Sequence, residues 1–360
     1  MPYAMTMSNT DMAVAGEAPG RAQRSLRPVR IWLGVIAALV ALMVIVGGAT
    51  RLTDSGLSIT EWKPVTGAIP PLSEAHWKAE FEKYQQIPEY RQVNHGMSLE
   101  EFKTIYWWEW GHRFLGRLVG VAFLVPFLIL IATGHIRRWM ALRLIGLFAL
   151  GGLQGAIGWW MVRSGLTERT DVSQYRLVVH LTMACFIFAA LIWTMLSLSE
   201  RAEPHAPARI RKTAWLVLAL VFVQIALGAL VAGLDAGLTY NTWPLMDGDF
   251  IPGGLFMIEP WWLNATENIA TVQFDHRVFA YLLTAVVVFH AWQLRAARHG
   301  GRAVALAGTV LLQILIGIAT LLHAVPLSLG ILHQAGALLL LAVAVWNVQA
   351  SRGEARLIGP

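Results

Sequence analysis

Cysteine is almost absent from this chain: Cys185 is the only one in 360 residues. A single cysteine forms no intrachain disulfide and excludes a thiolate zinc site. Lying in an apolar run, it reads as a small buried residue. Charge is scarce as well. Only 14% of residues are Asp, Glu, Lys or Arg, against 56% hydrophobic, a balance that excludes an ordinary soluble domain and indicates a polytopic membrane protein. The formal net charge of +6 does not call for nucleic acid, because most basic residues sit in short loops beside apolar runs, where they set topology. The first 30 residues hold no apolar stretch that would serve as a cleaved signal. Their basic cluster RAQRSLRPVR (21–30) leads straight into the first apolar run, which therefore reads as an uncleaved anchor with a cytoplasmic N-terminus. Asp11 and Glu17 count against an organellar presequence. Tryptophan, by contrast, is abundant at 16 copies, suiting interfacial belts and cofactor pockets.

A membrane-spanning helix needs about 20 mostly apolar residues. Eight runs qualify, near 31–50, 107–132, 139–162, 175–198, 213–233, 274–294, 303–324 and 327–349. Arg137, Arg138 and Arg143, then Arg201, Arg209, Arg211 and Lys212, then Arg295, Arg298 and Arg302, and finally Arg352 and Arg356 mark one side as cytoplasmic, together with both termini. The opposite loops are long, and the third of them carries Asp235, Asp247, Asp249, Glu259 and Glu267. The chain repeats itself. LTDSGLSITEW (52–62) aligns with GLDAGLTYNTW (233–243), and EWGHRFLGRLVG (109–120) with QFDHRVFAYLLT (273–284). VVHLTMA (178–184) aligns with ILHQAGA (331–337), and Gln154 and Gly158 repeat as Gln313 and Gly317. The expected architecture is an all-α integral membrane protein: two tandem four-helix bundles in the same orientation, related by internal pseudo-symmetry. Its parts are a polar basic tail (1–30), an N-terminal half (31–198), a cytoplasmic linker (199–212), a C-terminal half (213–349) and a tail (350–360).

Four histidines fall at matching places in this repeat: His112 with His276, and His180 with His333. All lie near the outer ends of spans running from outside to inside, about 7.5 Å down the helix axis. An ionisable residue within a span is costly and marks function by default. For any one histidine, an interhelical hydrogen bond is an equal explanation. Four at repeated positions and one depth are better explained as axial ligands of two bis-histidine haems. Small residues follow one turn on: Gly116 and Gly120, Ala280 and Thr284, Ala184 and Ala337. They would clear room for a porphyrin face, although on their own close helix packing accounts for them somewhat better. Arg113 and Arg277 follow the first histidine of each pair and are candidate propionate contacts, or else snorkel to headgroups. His76, His95, His135, His205, His290 and His299 lie in loops or near cytoplasmic ends, and His323 at an outer end lacks a repeat partner.

The halves differ at one telling place. Glu109, three residues before His112, is matched by Gln273. A carboxylate beside one site and an amide beside the other implies unequal roles, with Glu109 relaying protons or placing water or peroxide near a substrate carbon. The competing reading is a carboxylate exposed at the membrane edge.

The E-x-x-H-R of 109–113, the H-R of 276–277, His180, His333 and the loop EWKPVTGAIPP (61–71) resemble the haem A synthase family over roughly residues 30–350, in its proteobacterial and mitochondrial form. Loop cysteine pairs found in some bacterial relatives are missing here. The resemblance implies oxidation of the C8 methyl of haem O to the formyl of haem A by successive hydroxylations, for cytochrome c oxidase biogenesis in the bacterial inner membrane. It also implies a division of labour: Glu109 as catalytic carboxylate, His112 and His180 as ligands of substrate haem, and His276 and His333 as ligands of a permanent haem b. The implied partners are haem O, an unidentified electron donor, haem O synthase and oxidase assembly factors. Two other classes would need such histidines. A dihaem electron carrier stacks its haems across the bilayer, whereas here all four ligands sit on one side. A haem transporter would exchange its haem unaltered.

Overall fold

The computed structural model describes residues 25–199 and 205–353. Most of the N-terminal tail, Arg201 of the linker and Arg356 of the C-terminal tail therefore lie outside the described residues. Eight helices are long and apolar enough to cross a membrane: α1 (Arg27–Leu52), α4 (Leu99–Ala132), α5 (Arg138–Val162), α6 (Gln174–Ser197), α7 (Ala208–Gly233), α9 (Ile269–Ala296), α10 (Gly300–Leu322) and α11 (Leu327–Arg352). Three short α-helices lie in the long loops, α2 (Glu74–Tyr84), α3 (Pro88–Gln92) and α8 (Asn264–Glu267), beside three single 3-10 turns. The chain is a multi-pass, all-helical membrane protein, with no named strand among the described residues.

Two spans begin earlier than hydropathy alone suggests, and caps explain why. α4 starts at Leu99 rather than near 107 because Ser98 and Glu101 form a reciprocal capping box. That arrangement satisfies two otherwise orphaned backbone donors. Asn268 likewise accepts from the amides of Ala270 and Thr271 and starts α9 at Ile269. Within α4, Pro126 cannot donate to the carbonyl of Ala122. The indole Nε1 of Trp32 on α1 donates to that carbonyl instead, at 3.1 Å, and its ring packs on Phe123. A helix defect thereby becomes an interhelical tie.

The first four spans pack in a ring, α1–α4–α5–α6, and the last four in another, α7–α9–α10–α11. The rings meet along α1, α6, α7 and α11. Burial follows: Leu33, Ile36, Leu191, Val217, Val287, Leu306 and Leu341 belong to one apolar core that crosses between the rings. At the outer end, Arg51 of α1 reaches Asp54, Asp171 and Asp235 at 3.3, 2.5 and 2.9 Å. It thus pins both long loops to one guanidinium. Asp54 and Asp235, aligned in the repeat, both adopt left-handed backbone, at φ 48° and 50°, a conformation aspartate tolerates better than most residues. The first outer loop has its own small core of Leu57, Ile59, Tyr84, Ile87, Phe102 and Tyr106, which closes it over the ends of α4 and α5.

Candidate functional site

Each of the four histidines lies on a glycine of a neighbouring helix. A Cβ placed on Gly47 of α1 would stand 2.7 Å from Cε1 of His112 on α4. On Gly158 of α5 it would stand 2.8 Å from His180 on α6, on Gly228 of α7 3.2 Å from His276 on α9, and on Gly317 of α10 2.8 Å from His333 on α11. Any larger residue at Gly47, Gly158 or Gly317 would push the ring away. His112 and His180 are close enough to interact electrostatically, as are His276 and His333. All four are set deep in the protein, yet each keeps a partly accessible surface.

Glutamines one turn before three of these glycines hold the rings. The Nε2 atoms of Gln154, Gln224 and Gln313 lie 3.1, 3.1 and 3.2 Å from Nδ1 of His180, His276 and His333. Each also donates to the backbone carbonyl of the same histidine. The amide oxygens of all three glutamines are buried without a partner. Presenting the amide oxygen to Nδ1–H, in exchange for the bond to the histidine's backbone carbonyl, selects the tautomer whose Nε2 is free to bind a metal. This donor set suits a haem held between two imidazoles: paired rings, each backed by a glycine, three with a group to orient them. Sequence comparison of α5 with α10 finds two of these Gln-x-x-x-Gly elements. The third, Gln224 with Gly228, is repeated in α1 only at the glycine, because Met43 stands four residues before Gly47.

Glu109 is 2% exposed, so a headgroup-facing carboxylate is not what the structure contains. Its Oε2 accepts from Ser58 Oγ at 2.7 Å and from the amide of Ile59 at 2.6 Å. Its Oε1 accepts from Arg113 Nε and Nη2 at 3.1 and 2.6 Å. Gln273 occupies the matching place, but its surroundings are inverted. Its Nε2 donates to the carbonyls of Ala236 and Thr239 at 2.7 and 2.6 Å, while its Oε1 accepts from Arg277. Donors in the first outer loop face a carboxylate, and acceptors in the third face an amide. The difference between the halves is therefore built into two loops as well as one side chain.

The arginines repeat more closely. Arg113 donates to the carbonyls of Ile59 and Glu61, and Arg277 to those of Tyr240 and Thr242. Both clamp an outer loop over their site. Most of Arg113's hydrogens are thereby engaged, whereas Nε of Arg277 is buried without a partner.

Other ionisable residues stand apart. His323 caps the end of α10, exposed, with Nδ1 at 2.8 Å from the carbonyl of Ala319. Cys185 is buried in the core. His290 is fully buried toward the C-terminal end of α9, between Thr213 and Asn347. Glu89 in α3 was not singled out by sequence. It is buried within the first outer loop, where desolvation, reinforced by Glu109, pushes its pKa up to about 8.

Spans carrying two interior imidazole pairs, with a buried carboxylate beside one of them, define a multi-pass membrane protein with two unequal imidazole sites. The chain belongs to the COX15-CtaA family of cytochrome oxidase assembly proteins, whose family model matches residues 30–345. Heme A synthase of Parvibaculum lavamentivorans is 58% identical over 317 residues, covering 88% of this chain and 92% of that relative. Heme A synthase of Azorhizobium caulinodans is 56% identical over 353 residues, covering 96% and 99%. Heme A synthase of a Rhodopseudomonas palustris strain is 55% identical over 337 residues, covering 92% and 93%.

Proposed function

We propose that this chain is a haem A synthase, an oxidoreductase that converts the C8 methyl of haem O to the formyl of haem A for cytochrome oxidase assembly. The N-terminal half (31–198) is the substrate site. His112 and His180 ligate haem O there, and Glu109 is the catalytic carboxylate. The C-terminal half (213–349) holds a resident haem b through His276 and His333, a group that supplies electron-transfer chemistry when bound. The observation that carries this reading is the exchange of a buried carboxylate for an amide at otherwise repeated sites, within a chain of this family.

Glu109 sits one turn from His112 on α4, and its carboxylate is the proton-exchanging group beside the substrate ring. Ser58, Ile59 and Arg113 fix where its oxygens point. Arg113 and Arg277 hold the outer loops closed, and their remaining N–H groups are the candidate propionate contacts. Closure keeps water from a partly oxidised substrate.

Purified protein given haem O, dioxygen and a reductant, then extracted for pigment, should yield haem A. Recovery of unaltered haem O alone would favour a transporter, and no uptake of haem O would favour a dihaem carrier.

In this reading the protein lies in the bacterial inner membrane with both termini cytoplasmic, haem O synthase and oxidase assembly factors are its partners, and an electron donor docks to it. The Arg and Lys distribution supports that orientation. A periplasmic reporter fused after residue 90 should be active, and one fused after residue 205 silent. The opposite pattern would overturn it.

A further inference from the structure

Three of the four histidine cradles pair a glycine with a glutamine one turn earlier. The fourth does not. In α1 the position that Gln224 holds in α7 is Met43, four residues before Gly47. Met43 turns its methyl group toward Gly116 on α4, where an added Cβ would stand 3.2 Å away. Nδ1 of His112 is buried with no hydrogen-bond partner. Glycine contact is thus common to all four rings, and amide support is missing from one.

A hydrogen bond to the far nitrogen of a ligating histidine fixes the ring and raises its basicity, and losing it typically costs 10- to 100-fold in affinity for the metal. A resident haem gains from two supported ligands, which His276 and His333 have. A substrate haem must enter and its product must leave, so at least one axial bond has to break in every turnover. We infer that His112 is the exchangeable ligand of the substrate site, and that methionine in place of glutamine at position 43 keeps it exchangeable. His180, held by Gln154, stays bound longer, and haem is handed in and out from the His112 side. This rests on the proposal that His112 and His180 take the substrate haem. Met43, Gln154, Gln224 and Gln313 are positioning residues in this scheme, acting through the rings beside them.

The test is haem release. Purified protein carrying its resident haem is loaded with haem O, and transfer of haem O to excess apomyoglobin is followed by absorbance. Met43→Gln should slow transfer about 10-fold or more. Met43→Leu, which keeps the bulk without the amide, should match the unaltered protein. Gln154→Met should speed transfer. An unchanged rate in Met43→Gln, or equal slowing in Met43→Leu, overturns the inference. Should Met43→Gln not fold, Gln154→Met decides alone: no acceleration there means that the amides do not control release. Failure of the underlying site proposal looks different. In that case haem O does not load at all, or loads as well in the His112→Ala, His180→Ala double variant.

Discussion

Glu109→Gln is expected to stop conversion of haem O while leaving the resident haem in place. The loss in haem A formation should be at least ~10²-fold, the scale of a removed acid–base group. The geometry makes the substitution less conservative than side-chain size implies. Four donors converge on the carboxylate, from Ser58, Ile59 and Arg113. An amide offers one oxygen, so its NH₂ must face donors, and a buried mismatch of this kind costs about 1–3 kcal/mol. The third outer loop avoids the problem by presenting the carbonyls of Ala236 and Thr239 to Gln273. Two measurements separate chemistry from loop damage. Haem O should still bind the variant, and Ser58→Ala, which removes one donor but keeps the carboxylate and its arginine, should retain much of the conversion. Normal haem A yield from Glu109→Gln would reduce the carboxylate to a loop anchor.

The second large effect belongs to the other half. His276→Ala and His333→Ala should each lose the low-spin spectrum of haem b, because an axial bond and the ring's supported tautomer go together. The change leaves Gln224 or Gln313 without its Nδ1 contact and opens space at Gly228 or Gly317. Reduced spectra of purified variants are the check. Retention of the unaltered low-spin spectrum in both would remove these histidines from the resident site.

Much of this was legible in the sequence, for physical reasons that also mark where legibility ended. Eight apolar runs announce themselves because the bilayer demands length and hydropathy. The four histidines and the Glu109/Gln273 exchange stand out because repetition turns single residues into matched positions. The early start of α4 was encoded in Ser98 and Glu101, a signal that an apolar count overlooks. Gln224 was harder to see, because α1 carries Met43 at the matching position and repetition marks only Gly47 and Gly228. The inverted loops around Glu109 and Gln273 were out of reach. Whether a backbone turns its N–H or its C=O toward a side chain is decided by the path of residues 58–59 and 236–239, which sequence pattern does not describe. The burial of Glu89 likewise depends on how a loop of some fifty residues closes over α4.

The central claim is that two repeated sites hold different haems. Pigment extraction from the purified His112→Ala, His180→Ala double variant after incubation with haem O tests it most directly. Our account predicts haem b retained at the level of the unaltered protein, with neither haem O nor haem A recovered. Loss of haem b, or recovery of haem O or haem A at the unaltered level, would contradict it.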